Sequence, residues 1–275
     1  MGEQHHCPWY YYRHLVRAKM LLMYTRKRVL FDPSSTEPFT LSRSKVELYT
    51  NCPRCFYMDC RYGISRPSFP PFTLNNAVDN LLKNEFDILR QKGESHELIK
   101  HYQIDAIPFS HPDLPKWRGE IPGYYYIGAS FVHPATNFKL TGMVDDVWQN
   151  SIGDLLIVDY KATSTTKEIS LEDEYKQAYK RQLEFYQWLF RNLGFSVSDT
   201  GYFVFANAIK DRDKFDARLE FTMSIIPYTG KTSWVEPLLL KIKTCLSADT
   251  MPDPSSDCEY CSYRKSSAEL AASKK

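Results

Sequence analysis

The sequence predicts an α/β domain in which helices cover both faces of a mixed sheet. Three observations carry this. Two segments, 75–91 and 172–192, place apolar residues at helical spacing. Between them lie three short segments that alternate or run apolar over strand lengths, and a further strand pattern follows the second helix. From residue 75 the order is therefore helix, three strands, helix, strand, which buries itself most simply as helices layered on a sheet.

Taken in order, Ser44-Lys45-Val46-Glu47 is a capping-box pattern that opens a short helix reaching Cys52. Pro67, Pro70 and Pro71 mark a linker. The helix over Asn75–Gln91 has Val78, Leu81, Leu82, Ile88 and Leu89 as its apolar face and a stop signal at Gly93. Residues 100–122, rich in Pro and His, read as a long loop, functional or peripheral rather than core. Strands are expected at Tyr124–Val132, Phe138–Trp148 and Leu155–Lys161, the last two joined as a hairpin through Asn150, Ser151 and Gly153. A long helix from Glu172 to Asn192 ends at Gly194. Strands at Gly201–Asn207 and Arg218–Ile226 and a helix over Trp234–Leu246 follow, and Ser266–Lys275 is expected to fray.

At 275 residues, with 25% charged and 43% hydrophobic residues, the chain is ordinary globular material. A net charge of +2 confines any nucleic-acid footprint to a local patch. The 19 tyrosines are core and interface packing first, and base-stacking platforms second. No apolar stretch is long enough to span a bilayer, and Met20–Met23 lacks the apolar region and cleavage site of a signal peptide, so a cytoplasmic location is expected. Seven cysteines in that compartment point to metal binding rather than disulfides. Residues 1–37, with His5, His6, Trp9, Tyr10–Tyr12 and many basic side chains, have no clear period. They form a disordered arm touching phosphates, an irregular packing on the domain, or a dispensable segment ahead of a start at Met20 or Met23; a peripheral role is expected in each case.

The chemistry concentrates on the third strand. Leu155, Ile157, Asp159 and Lys161 share one face, because side chains alternate with period two. A carboxylate at a strand end suits a hard divalent cation, a Lys two residues on neutralises charge or positions an attacking water, and the Tyr160 carbonyl is a further ligand. In Gly142-Met143-Val144-Asp145-Asp146 one of the two acids lies beside Asp159, and register decides which. Two acids around one site suit Mg²⁺ or Mn²⁺. On the long helix, Tyr175, Ala178, Gln182, Tyr186 and Leu189 lie on one stripe, with Gln182 and Tyr186 adjacent.

Two C-x-x-C pairs, Cys52-Pro53-Arg54-Cys55 and Cys258-Glu259-Tyr260-Cys261, can each bite a metal with two thiolates. Roughly two hundred residues separate them, far more than in a zinc finger. A shared site would tie the two ends of the domain together. Cys60 is a spare candidate, whereas Cys7 and Cys245 lack paired neighbours.

Gly142-x-x-Asp145, then Asp159-Tyr160-Lys161, then Gln182-x-x-x-Tyr186 resembles the signature of the RecB-type PD-(D/E)XK nucleases, which include the CRISPR-associated RecB-like exonucleases. The resemblance covers residues 42–262. It implies a restriction-endonuclease-like core, with the nuclease domain at 38–265, a cysteine-ligated module drawn from 44–60 and 256–265, and a flexible tail at 266–275. It selects Asp145 over Asp146. It makes Asp145 and Asp159 metal ligands, gives Lys161 a part in hydrolysis, and links Gln182 and Tyr186 to placing the Lys and the DNA strand. Many members carry a metal-binding His on the first core helix. None occurs in 75–92, where Asp79 takes the expected place and Glu85 follows, so Asp79 is either a replacement ligand or a solvated helix residue.

Ser44–Tyr57 also resembles the segment of the CRISPR-associated relatives whose single Cys joins three C-terminal ones around a four-iron four-sulfur cluster. Here Ser266 and Ser267 stand where the last Cys is expected and Cys55 is extra, and four thiolates in two pairs suit either the cluster or zinc. The resemblance implies a metal-dependent deoxyribonuclease acting on single-stranded or end-containing DNA. Lys180 and Arg181 would contact phosphates, and DNA-repair or CRISPR-adaptation proteins would be partners. A non-cleaving DNA-binding module or an adaptor of the same fold are the rival readings.

Overall fold

The computed structural model describes residues 29–121 and 128–274. The chain divides into a short unit, Met1–Leu30, and the unit Phe31–Lys275 that is described below. The expected arm therefore lies outside the described residues as far as residue 28, together with Cys7, and so does the expected strand start at Tyr124. Residues 31–37, assigned to the arm, are not all peripheral. Phe31 is buried against Phe39 and Phe138, and its N–H donates to the Cys60 carbonyl at 2.8 Å.

Strand β1 (Phe39–Ser42) runs directly into helix α1 (Arg43–Asn51). The cap is Ser42, whose side chain accepts from the Lys45 N–H, two residues before the expected Ser44, because the strand ends there and extended backbone at the cap position orients the hydroxyl. Cys52 then starts α2 (Pro53–Tyr62), with Pro53 in the first turn and Gly63 closing it at φ 71°. Helix α3 (Thr73–Lys92) buries Leu82, Phe86 and Arg90, an i, i+4 row rotated from the predicted face, so that Leu81 and Ile88 face solvent.

The described part of the expected loop, 100–121, is structural rather than peripheral. It follows α4 (Glu97–His101), adds the short edge strand β2 (Ile107–Pro108), and contributes α5 (Leu114–Trp117), burying Leu114, Trp117 and Arg118. Its sequence hides this because no piece is long enough to repeat its period twice.

Strand β3 (Ala129–His133) pairs antiparallel with β4 (Phe138–Gly142), which pairs parallel with β1 in a three-stranded sheet. The expected single strand 138–148 is broken. After Gly142 the chain leaves that sheet, the Val144 N–H bonds to the Trp117 carbonyl, and β5 (Asp146–Gln149) enters a second sheet. That sheet has the order β2-β5-β6-β7-β8, with β6 at Leu155–Thr163, β7 at Thr200–Ala208 and β8 at Phe221–Thr229. Strands β5 and β6 form the predicted hairpin, with Asp146 opposite Val158 and Gly153 at φ 93° in the turn. Strands β6 and β7 are parallel, joined across α6 (Gln177–Asn192), which a single 3₁₀ turn at Glu174–Lys176 precedes.

Helices cover both faces of this sheet, as predicted. On one side Leu82 and Phe86 of α3 pack on Trp148, Leu156, Val158, Tyr160 and Val204. On the other, Leu183 and Tyr186 of α6, and Val235 and Leu239 of α7 (Val235–Ser247), share a core with Leu155, Ile157, Phe203 and Phe205. The segment expected to fray continues helix α8 (Glu259–Ser273), although most of it is exposed.

Candidate active site and thiol cluster

The alternation of β6 places Asp159 and Lys161 on the α6 face, with Ile157 behind them. Asp159 is 1% exposed. Its Oδ1 accepts from Gln182 Nε2 at 2.7 Å, and its Oδ2 is ion-paired with Lys161 Nζ. The break between the sheets brings Asp145 to the same spot, where its Oδ2 accepts from the Tyr160 N–H at 2.9 Å. Burial, reinforced by the Asp145 carboxylate and opposed by Lys161, pushes Asp159 up to about 7. For Lys161, burial favours the neutral amine, but the Asp159 and Asp145 carboxylates outweigh it and hold the ammonium above its ordinary range.

The two neighbouring acids face different surroundings. Asp146 points the other way, is fully buried, and is held by Arg90, by Arg118 at 2.8 Å, by the Tyr160 hydroxyl at 2.7 Å and by the Val147 N–H at 2.8 Å. Asp145 lines an open cleft with Asp79, Tyr160, Lys161, Tyr179 and Gln182. Asp79 pairs with Lys83 at 2.8 Å, and its carboxyl is raised by burial and by Asp145. Tyr186 sits beneath rather than in the cleft. Its ring packs so closely on Gly142 that a Cβ there would lie 2.4 Å from Cε1, which explains why a glycine begins this motif. The Tyr186 phenol is raised by burial and by Asp145 and Asp159 against Arg43.

Arg181 is bidentate to Glu47, at 2.6 and 3.1 Å, and Lys180 reaches Glu172 at 3.2 Å, so both basic groups have partners within the protein. Glu47 thereby ties α1 to α6 instead of completing a capping box. Sequence reasoning also missed Tyr179, whose ring lies 4.7 Å from Lys161 Nζ; its position one turn before Gln182 was the available signal. Arg90 and Arg118 were missed because nothing local marks them as partners of Asp146.

The donor set of the cleft fits a hard divalent cation. It offers carboxylate oxygens and a backbone carbonyl within β6, and its crowded acids carry more negative charge than Lys161 alone balances. Asp79, Asp145, Asp159 and the Tyr160 carbonyl are the groups that could hold it.

A second cluster lies elsewhere. Cys52, Cys55, Cys258 and Cys261 are all buried, with their sulfurs within 4.8 Å of one another. Cys52–Cys261, Cys55–Cys258 and Cys55–Cys261 are 3.8, 3.7 and 3.5 Å apart. The two C-x-x-C pairs thus converge as expected. Cys60 is buried with its sulfur 3.9 Å from Asp59 Oδ2 and stands outside the group, as does Cys245.

A family model described as the PD-(D/E)XK nuclease superfamily matches residues 73–266, from α3 into α8. A solved structure titled "Crystal structure of SSO0001" is 14% identical, covering 82% of this chain and 84% of its own, with a TM-score of 0.38. A comparison with curated proteins finds no match.

Proposed function

The chain belongs to the PD-(D/E)XK nuclease superfamily, and we propose that it is a divalent-metal-dependent nuclease that hydrolyses DNA phosphodiesters in single-stranded or end-containing substrates. The observation that carries this reading is the meeting of Asp145, Asp159 and Lys161 on one side of β6, with Gln182 bonded to Asp159.

Mg²⁺ or Mn²⁺ bound there would activate a water and stabilise charge on the phosphate under attack. Asp145 and Asp159 would hold the cation with the Tyr160 carbonyl, and Asp79 would supply an oxygen from α3, where the family resemblance leads one to expect a His. Lys161, kept charged by its neighbours, stands at the cleft wall to orient the water or meet the developing negative charge. Gln182 fixes the Asp159 carboxylate, and Tyr186 props the Gly142–Asp145 segment from below. DNA is the proposed partner, the cytoplasm the proposed location, and repair or CRISPR-adaptation proteins the proposed associates. No helix among the described residues is long and apolar enough to cross a membrane.

The test is incubation of the full chain with labelled single-stranded, linear duplex and circular DNA, and with matching RNA, in Mn²⁺, Mg²⁺ or EDTA. Metal-dependent cutting of single-stranded or linear DNA is the expected result. Absence of cutting on every substrate in either metal would overturn the reading in favour of a binding or adaptor role.

A further inference from the structure

We infer that Cys52, Cys55, Cys258 and Cys261 hold one tetrahedral zinc ion, not a four-iron four-sulfur cluster, and that this ion is what fastens α8 to α2.

The size of the cage decides the first part. A zinc ion bound to four thiolates at about 2.3 Å sets the sulfurs about 3.8 Å apart along the edges of a tetrahedron. The sulfurs here are 3.5, 3.7 and 3.8 Å apart in three pairs, and no pair exceeds 4.8 Å. A cubane puts four irons and four sulfides between its cysteines and holds their sulfurs about 6 Å apart. The four sulfurs here sit closer together than that. The group suggested by resemblance to the CRISPR-associated relatives therefore does not fit these residues.

The two halves of the cage are built alike. Cys52 is the N-cap of α2, with Cys55 in its first turn; Cys258 is the N-cap of α8, with Cys261 in its first turn. Both helix N-termini direct partial positive charge at the thiolates, which need it, since four thiolates leave zinc with a net charge of about −2. Arg66 adds a full charge. Its Nη2 donates to Cys258 Sγ at 3.2 Å while its guanidinium lies 4.6 Å from the centre of the Tyr260 ring. With four protein ligands the site is closed, so its ion has a structural role and takes no part in chemistry at the cleft.

The second part follows from how little else holds α8. Of its 15 residues only Cys261 is buried, so apolar packing contributes almost nothing to its docking. The remaining ties on its own residues are Tyr260, half-buried against the cysteines and beside the Arg66 guanidinium, and Arg264, whose Nη1 approaches Met58 Sδ at 2.8 Å. A metal joining Cys55 to Cys258 across 203 residues closes the domain between its first and last segments.

The experiment uses full-length protein purified without oxygen. Metal and acid-labile sulfide are measured per chain, and an ultraviolet–visible spectrum is recorded. Hydrogen exchange is then followed before and after zinc is displaced with a thiol-specific mercurial. One zinc per chain, no sulfide and a colourless protein are expected. Displacement should raise exchange over 259–273 at least tenfold while α3 amides keep their protection. Stoichiometric iron and sulfide with broad visible absorption would overturn the assignment. So would protein that contains no metal and binds no added zinc. Unchanged exchange in α8 after zinc loss would overturn the fastening role. None of these readouts depends on nuclease activity.

Discussion

Gln182 donates a 2.7 Å hydrogen bond from Nε2 to Asp159 Oδ1, while the other oxygen of that carboxylate meets Lys161. The bond fixes the rotation of a buried carboxylate from a helix that follows the strand in sequence. Replacing Gln182 with Leu keeps the packing volume but releases the carboxylate. Loss of such a ligand-orienting partner typically costs about 10–100-fold in metal affinity or activity. A Mn²⁺ titration of cleavage by Gln182→Leu should show half-saturation displaced upward by that factor. An unchanged titration would mean that the bond does not hold Asp159 for a cation.

Asp145 and Asp146 are neighbours with opposite environments, and their variants should separate cleanly. Asp146→Ala leaves the buried Arg90 and Arg118 with only the partly exposed Asp87 carboxylate to share. Breaking a buried pair costs about 3–5 kcal/mol when nothing compensates the charge, and the remaining Asp87 should hold the loss below that ceiling. Asp145→Ala removes one of two crowded acids and should leave the urea midpoint close to wild type. Equal midpoints for the two variants would contradict the assignment of roles.

Gly142 lies under the Tyr186 ring, and a methyl group there has no room. Gly142→Ala should destabilise the domain by about 1–3 kcal/mol through overpacking. The two sites should also couple: in the Tyr186→Leu background the same change should cost less, read from urea denaturation of the four proteins. Additive effects would show that the contact is not the reason for the glycine.

The Tyr179 ring stands 4.7 Å from the Lys161 ammonium in the cleft. A cation over an aromatic face is worth about 0.5–2 kcal/mol, increasing with desolvation. Tyr179→Leu should therefore lower kcat by about two- to thirtyfold with KM little changed, whereas Tyr179→Phe retains the ring and should lose much less. Equal losses in both variants would assign the effect to the hydroxyl instead.

The elements built on long periodic segments were legible: α3, α6, the β5–β6 hairpin and the covering of the sheet on both faces. So were Asp159, Lys161 and Gln182, because strand parity and helical spacing put them in place without tertiary information. The break after Gly142 was not, since Phe138–Trp148 alternates throughout and the groups that meet the chain there, the Trp117 carbonyl and the Tyr186 ring, come from distant segments. Leu81 and Ile88 fit an apolar stripe, yet the deeper i, i+4 row of Leu82, Phe86 and Arg90 faces inward. The buried Arg90–Asp146–Arg118 group joins residues far apart in sequence, none of which has a local signal. The convergence of the two C-x-x-C pairs could be proposed from their spacing, but the size of their cage could be read only from the fold.

Lys161→Ala tests the central claim most directly. Single-turnover cleavage of labelled DNA in saturating Mn²⁺ should fall by about 10²–10³-fold, the cost of removing one group that stabilises charge in the transition state. Mn²⁺ binding measured on the same sample should persist, because Asp145 and Asp159 remain. Cleavage at the wild-type rate by Lys161→Ala, and equally by Asp145→Asn, would contradict the placement of hydrolysis at this cleft.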